Sequence, residues 1–148
     1  MAASDAETVE RLKTALGARC LEIKQTRPRR IFVRVNPADY KSSVKDLVQS
    51  LKITHVSTMT GLDTGKELEL LTHMFGQGAE ITLKVTLPRE NPEIDSIVDI
   101  VPGADVYERE VHDLVGIGFK DRSLKRFILP EEWPEGVYPL RKDFKKPD

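Results

Sequence analysis

The stretch "AEITLKVTL", residues Ala79–Leu87, has the clearest strand pattern in the chain. Its side chains alternate between an apolar set and a polar set, which are Ile81, Leu83, Val85 and Leu87, and Thr82, Lys84 and Thr86. Because successive side chains of a strand point to opposite faces, this alternation predicts one buried face and one polar face. We therefore expect a sheet that is covered on one side only.

Four more stretches are typical of strands and complete the expected sheet. "ITHVSTMTG" (53–61) and "KELELLTHMF" (66–75) precede the first stretch and are separated by the turn residues Asp63-Thr64-Gly65. "CLEIK" (20–24) and "IFVRV" (31–35) lie nearer the N-terminus, with a basic connection between them. The chain is therefore expected to contain a sheet of about five strands.

Four apolar stripes at helical spacing predict the helices that cover this sheet. Each stripe follows a residue pair that is typical of a helix start: Ser4 with Glu7, Asn36 with Pro37, Asn91 with Pro92, and Asp105 with Glu108. The stripes are Val9, Leu12 and Leu16; Tyr40, Val44, Leu47, Val48 and Leu51; Ile94, Ile97, Val98 and Val101; and Tyr107, Val111 and Leu114. The expected fold is α+β, a two-layer sandwich of helices on a mixed, mostly antiparallel sheet.

The last 30 residues have a different character, and we call residues 119–148 the tail. The tail has four prolines and little periodicity, yet it holds five of the nine aromatic residues of the chain. Disordered segments are poor in aromatic residues, so the tail is expected to pack on a surface, either its own or that of a partner. We expect an α+β domain at residues 1–118 and an extended, irregular tail at residues 119–148.

Composition and charge exclude several classes of function. The 148 residues carry 23 Lys+Arg and 24 Asp+Glu, a net charge of -1, which argues against nucleic acid as a partner. The single cysteine, Cys20, excludes an internal disulfide and a multi-cysteine metal site. No apolar run reaches the roughly 18–20 residues needed to cross a bilayer, and the start lacks a signal peptide pattern. We expect a cytoplasmic protein without direct membrane insertion.

The stretch "YEREVHDLVGIGF" (107–119) offers the best candidate for catalysis, because Glu108 and His112 could form an acid–base couple. The same spacing favours a charged helix face with two i, i+4 pairs, Glu108 with His112 and Arg109 with Asp113. "GIG" (116–118) follows a helix rather than a strand, so it indicates a helix stop and a sharp turn, not a nucleotide site. His55 and His73 lie in predicted strands without a metal-binding motif.

Taken with "LKRFILPEEWPEG" and "YPLRKDF", this stretch resembles the 30 kDa-type hydrophilic subunit of respiratory complex I, the NADH:quinone oxidoreductase, and the related subunit of membrane-bound hydrogenases. The matches carry three motifs in register: Glu108-Arg109-Glu110, Asp113, Gly116-Ile117 and Phe119; Leu124, Arg126, Leu129, Pro130 and Trp133; and residues 139–144. The sequence departs from the family pattern at Val115, at residues 120–123 and around Tyr138. These departures indicate a divergent branch, of a hydrogenase or archaeal type.

The resemblance implies a non-catalytic subunit without flavin, iron–sulfur cluster or metal. Its implied partners are the hydrogenase-large-subunit-like protein that forms the quinone or catalytic site and the iron–sulfur small subunit, with membrane association only through the complex. Residues 119–148 would be a docking tail that spreads over the large subunit, with the turn before it acting as a hinge. The residues predicted to bind the partner or fix the tail are Glu108, Arg109, Arg126, Trp133, Arg141, Lys142 and Asp143. The alternative is a small stand-alone acid–base enzyme that uses Glu108 and His112.

Overall fold

The computed structural model describes residues 3–148, which form three α-helices and seven β-strands. In chain order these are α1 (Asp5–Leu16), β1 (Glu22–Arg27), β2 (Arg30–Arg34), α2 (Tyr40–Gln49), β3 (His55–Asp63), β4 (Glu67–Gly76), β5 (Ala79–Pro88), β6 (Glu93–Asp95), α3 (Asp105–Val115) and β7 (Gly118–Lys120). The capping box of Ser4 and Glu7 is present, and α1 ends at Gly17 as the sequence predicts. A short 3₁₀ turn, Pro37–Asp39, precedes α2.

The five predicted strands form one mixed sheet in the order β1-β2-β5-β4-β3. The pairs β1–β2, β5–β4 and β4–β3 are antiparallel, while β2 and β5 are parallel. The stretch Ala79–Pro88 is thus the central strand, and Ile81, Leu83 and Val85 are completely buried. The α+β fold with a mostly antiparallel sheet is confirmed.

The helices pack on the face of the sheet that carries these apolar side chains. Tyr40 of α2 is fully buried, and its hydroxyl lies 2.8 Å from the Thr72 hydroxyl on that face. Helix α3 lies against β3 at Gly61, where a Cβ atom would come within 2.8 Å of the Val115 side chain. A residue with a side chain at position 61 would therefore push α3 off the sheet, so Gly61 sets how closely the helix approaches.

The helix predicted from Asn91-Pro92 is wrong. Asn91 has a positive φ of 51°, and residues Glu93–Asp95 form β6. Between Asn91 and the start of α3, the one helical element is the 3₁₀ turn Pro102–Ala104. Ile94 pairs with Phe119 of β7, and the Ile97 N–H is taken by the Glu108 side chain. The apolar residues of this segment are spaced by three and four positions, as in a helix. A bent, non-helical segment can give the same spacing, because it also turns every third or fourth side chain towards the core.

The second capping box, Asp105 with Glu108, is also wrong. Helix α3 starts after Ala104 without a side-chain cap. Asp105 instead pairs with Arg122, and Glu108 is turned into the protein, where its side chain is fully buried. Both carboxylates bind groups that lie far from the helix start in sequence, so local capping rules could not identify their partners.

Strand β7 brings the first residues of the tail into the folded body. Phe119 is 3% exposed and belongs to the core, while residues 121–148 form neither helix nor strand. The division into a domain at 1–118 and a docking tail at 119–148 stays a prediction about function. Structurally, the irregular part of the chain starts after Lys120.

Candidate docking site

The tail lies along α3 and is fixed there by a buried carboxylate. Asp113 is 1% exposed, and its Oδ2 atom accepts hydrogen bonds from the N–H groups of Phe127, Ile128 and Leu129 at 2.8, 2.8 and 3.0 Å. Three consecutive backbone donors that converge on one oxygen form an anion-binding concavity. A single side chain of α3 therefore sets the path of the tail over three residues.

A second carboxylate fixes the end of the tail. Asp63, the last residue of β3, accepts hydrogen bonds from the N–H groups of Lys142 and Gly65, both at 2.8 Å, and it also pairs with Arg89. Its side chain is almost completely buried. The tail is thus attached to its own domain at two separate points, near residue 128 and near residue 142.

Hydrogen bonds lower the pKa values of both carboxyl groups. Burial acts to raise the pKa of Asp113, but the three N–H groups and the nearby Arg126 outweigh it and hold the pKa below its ordinary 3.8. Burial also acts to raise the pKa of Asp63. The N–H groups of Lys142 and Gly65, together with Arg89, outweigh burial, so the pKa of Asp63 is lower than its ordinary value. Both groups are therefore charged when they hold the tail.

Acid is expected to release the tail. Because both pKa values are lower in the folded chain than the ordinary value of 3.8, the unfolded chain takes up these protons first, and stability is lost as the pH falls below about 4. Trp133 is the only tryptophan, so its fluorescence between pH 7 and acid reports the release. In Asp113→Asn, whose amide does not titrate, the pH dependence should be weaker. A release centred at neutral pH would contradict this assignment.

The turn at Gly116 holds the tail close to α3. Gly116 ends the helix in the left-handed conformation, with φ 84°, and a Cβ atom there would lie 2.5 Å from the Tyr138 ring. Arg141 also contacts this ring, with its guanidinium 4.6 Å from the Tyr138 ring centre. Its Nε donates to the Val115 carbonyl at 2.7 Å. The predicted helix stop and sharp turn are both present.

Glu108, predicted as a partner-binding residue, is completely buried inside this chain. Its carboxylate accepts hydrogen bonds from the Ile97 N–H at 2.8 Å, the Ser96 hydroxyl at 2.8 Å and Arg122 at 2.7 Å. The predicted pair of Glu108 with His112 is wrong, because the His112 Nδ1 atom lies 2.9 Å from the Ile117 carbonyl oxygen. The two residues are not brought together as an acid–base couple.

The other predicted site residues hold the tail or lie on it. Arg109 does not pair with Asp113; its guanidinium lies 4.5 Å from the Phe127 ring centre and 3.9 Å from Asp105. Arg126 donates to the Trp133 carbonyl at 3.1 Å, and the Trp133 ring stacks on Phe144. Lys142 and Asp143 are exposed, and Asp143 is 3.4 Å from Arg89. Except for Glu108, the predicted residues lie on the tail or contact it.

Several large apolar side chains are exposed in this region. Among residues 3–148, four of the seven large hydrophobic side chains that are exposed lie on α3 or the tail: Val106, Phe127, Ile128 and Leu140. Phe127 and Ile128 lie at the Asp113 attachment, and the Leu140 N–H donates to the Leu114 carbonyl at 2.9 Å. An apolar rim that is fixed by hydrogen bonds rather than left mobile suits a protein interface.

Within the described residues, no cluster of three or more His, Cys, Asp or Glu side chains is arranged to hold a metal ion. None of the helices in residues 3–148 is both long and apolar enough to cross a membrane.

Several known proteins are similar to this chain. It is 37% identical over 122 residues to one of the subunits of the F(420)H(2) dehydrogenase of Methanosarcina mazei, a match that covers 79% of this chain and 77% of that protein. It is 34% identical over 122 residues to the beta subunit of the membrane-bound hydrogenase of Pyrococcus furiosus, with 78% and 70% covered. A chain of the membrane-bound sulfane sulfur reductase, an archaeal respiratory membrane complex, superposes with a TM-score of 0.77 at 27% identity, covering 95% of this chain and 85% of that one.

A trypsin-resistant fragment of Nqo5 has the same fold, with a TM-score of 0.66 at 18% identity over 80% of this chain and 96% of the fragment. The fold and the relatives thus define a class, the subunits of complex I-like and membrane-bound hydrogenase-type complexes. Residues 33–148 match the family described as the respiratory-chain NADH dehydrogenase 30 Kd subunit, and the chain belongs to that family. The resemblance inferred from the sequence motifs is confirmed.

Two residues that fix the tail were missing from the predicted site. Asp113 was expected to pair with Arg109 on a helix surface, and Asp63 was expected only to shape a turn. Asp63 does bind the Gly65 N–H of that turn, but its second oxygen binds Lys142, which is 79 residues away. The sequence offered one signal for the role of Asp113, which is that Asp113 belongs to the family motif. A charged residue at a motif position of a helix can have a buried role instead of facing solvent.

Proposed function

We propose that this chain is a non-catalytic, cofactor-free subunit of a complex I-type NADH:quinone oxidoreductase or a related membrane-bound hydrogenase. It docks on the large subunit that forms the quinone or catalytic site and stabilises it, with the iron–sulfur small subunit as a second neighbour. In this way it supports electron transfer coupled to ion translocation. Its association with the membrane is peripheral and comes only through the complex.

The observation that carries this proposal is the fixed apolar surface of the tail. Residues 121–148 have no helix or strand of their own, yet Asp113 and Asp63 hold them at two points. Ile128 and Leu140 are nevertheless 52% and 58% exposed. Exposed apolar side chains on a backbone that is already ordered lose little conformational entropy on binding, so they favour a stable interface.

The alternative, an acid–base enzyme using Glu108 and His112, is not favoured. A general acid or base must reach a substrate, whereas Glu108 has no exposed surface and accepts three hydrogen bonds from its own chain. His112 is turned towards the Ile117 carbonyl. Both residues have a structural role that accounts for them.

Charges placed on the tail surface are expected to prevent assembly without unfolding the chain. Ile128→Asp with Leu140→Asp puts two carboxylates at the exposed apolar rim, and we expect binding to the co-expressed large subunit to weaken by about 100-fold or more. Leu21→Asp is the matched control, since Leu21 is 47% exposed but lies beside β1, far from the tail in sequence. The measurement is co-purification of the tagged large subunit, with thermal unfolding of each free variant.

Truncation tests the same proposal more strongly. The sequence alone suggests a cut after Gly118, but that cut would remove the buried Phe119 and the Arg122 partner of Glu108. A stop after Ser123 keeps both, so the domain should stay folded while assembly is lost. If the shortened chain, or the doubly charged variant, still co-purified with the large subunit as the full chain does, the docking role of the tail would be wrong.

A further inference from the structure

A solvent-open cavity of about 600 Å³ lies between the tail and α3. Its walls include Asp113 of α3 and Arg126, Trp133 and Tyr138 of the tail. The space is larger than one amino-acid side chain, and Asp113 in its wall also binds the N–H groups of the exposed residues Phe127 and Ile128. Apart from Leu124, the side chains that line it are polar or aromatic.

One carboxylate oxygen in this cavity wall has no partner. The Oδ2 atom of Asp113 accepts the three tail N–H groups, but Oδ1 is buried and has no hydrogen-bond donor within residues 3–148. The nearest cation is Arg126, whose Nη1 is 3.9 Å away, too far for a hydrogen bond. The other terminal nitrogen of Arg126 is bound to the Trp133 carbonyl at 3.1 Å. A buried oxygen that lacks a donor is costly, so it marks a place where a donor can bind.

The charges around the cavity favour a cation. Its walls carry three carboxylates, Asp113, Glu131 and Glu135, against two cations, Lys125 and Arg126. Glu131 and Glu135 are exposed and lie at the outer rim, where they can attract an approaching positive charge. The rings of Trp133 and Tyr138 add aromatic surface, which binds guanidinium and ammonium groups favourably.

We propose that this cavity receives a basic side chain of the partner subunit, arginine or lysine, whose N–H group donates to the Oδ1 atom of Asp113. Because Oδ1 has almost no exposed surface in the free chain, the Arg126 side chain, which lies 3.9 Å from it, must turn aside to admit the incoming donor. Phe127 and Ile128, whose N–H groups bind the same carboxylate, add exposed apolar surface beside this charged anchor. This inference rests on the proposed docking function, because it names the chemistry of the partner at that same surface.

The free full-length chain allows a direct test with N-acetyl-L-arginine amide as the probe. The neutral N-acetyl-L-citrulline amide, which has almost the same shape, is the matched control ligand. The single Trp133 lies in the cavity wall, so its fluorescence reports binding. We expect saturable binding of the arginine probe in the millimolar range, as is typical of one small ligand without the rest of an interface. Citrulline should bind about tenfold more weakly, because it lacks the charge.

The variant Asp113→Asn separates this site from the attachment of the tail. Its amide oxygen can still accept from Phe127, Ile128 and Leu129, while its NH₂ group replaces the free oxygen with a donor. Arginine binding should fall by about tenfold or more, with protection of the three tail amides from hydrogen exchange retained. Glu132→Gln, an exposed carboxylate of the tail outside the cavity, should bind like the unaltered chain.

If Asp113→Asn loosens the tail, a double variant of Glu131→Gln and Glu135→Gln takes its place, since both side chains are exposed. It should weaken arginine binding several-fold and leave citrulline binding unchanged. Absence of saturable arginine binding, equal binding of citrulline, or unchanged binding in a folded Asp113→Asn chain would each overturn the proposal. If the arginine probe fails to bind but the Ile128→Asp and Leu140→Asp variant still loses assembly, only the cavity assignment falls. If the probe binds but the chain does not assemble, the docking function falls instead.

Discussion

Replacement of Glu108 by alanine is expected to lower the free energy of unfolding by about 3–5 kcal/mol, the usual cost of breaking a buried charge pair by removing one partner. The substitution leaves the Ile97 N–H, the Ser96 hydroxyl and one side of Arg122 without their acceptor. It also empties a fully buried volume. Since small domains are stable by only about 5–15 kcal/mol, this change could bring the chain close to unfolding.

Chemical denaturation of the two variants Glu108→Ala and Glu110→Ala provides the comparison. Glu110 lies on the same helix and is only partly buried, so its removal should change stability by about 0.5 kcal/mol or less. Glu108→Gln should fall between them, because its amide keeps one oxygen for the Ile97 N–H but loses the charge that Arg122 needs. A loss below about 1 kcal/mol in Glu108→Ala would show that the buried network contributes little.

Replacement of Asp113 by alanine is expected to release the middle of the tail while the sheet stays folded. Three backbone N–H groups, those of Phe127, Ile128 and Leu129, lose their common acceptor. Hydrogen bonds to a charged group contribute about 1.5–3 kcal/mol each, so loss of the set should raise the open population of this segment by about 100-fold or more.

Hydrogen exchange of these three amides measures the release directly, and trypsin cleavage after Lys125 and Arg126 gives an independent reading. Glu132→Ala is the control, because Glu132 is an exposed acid of the same segment and accepts no such bonds. Amides in β5 should keep their protection in both variants. If they lost it together with the tail amides in Asp113→Ala, the tail would be part of the global folding unit rather than attached to it.

The sheet was predictable because its strands carry their own pattern. In β4, Leu68, Leu70 and Met74 alternate with polar residues, and all three are fully buried. The end of α1 at Gly17 and the turn at Gly116 were also predictable, since glycine is favoured where a helix stops. These features depend on residues that are close in sequence, which is why sequence reasoning found them.

The errors have a common physical cause, which is that the decisive contacts are long-range. Ile94 and Ile97 fit a helical stripe, but their backbone is fixed by β7 and by Glu108. Charged residues on α3 were expected to face solvent. The neighbouring sequence does not indicate that Glu108 and Asp113 accept hydrogen bonds from donors that lie 11 to 16 residues away. A carboxylate is placed inside only when the rest of the fold supplies its donors.

The attachment of Lys142 to Asp63 also has a consequence for the order of events during synthesis. The two residues are 79 positions apart, so the donor is synthesised well after its acceptor. The sheet and the three helices can form first, because domains fold as the chain emerges. The second attachment of the tail closes only once Lys142 is available, so a chain whose translation stops early would carry a folded domain without a finished surface. If the tail is the docking surface that we propose, such incomplete chains would fold but would not assemble.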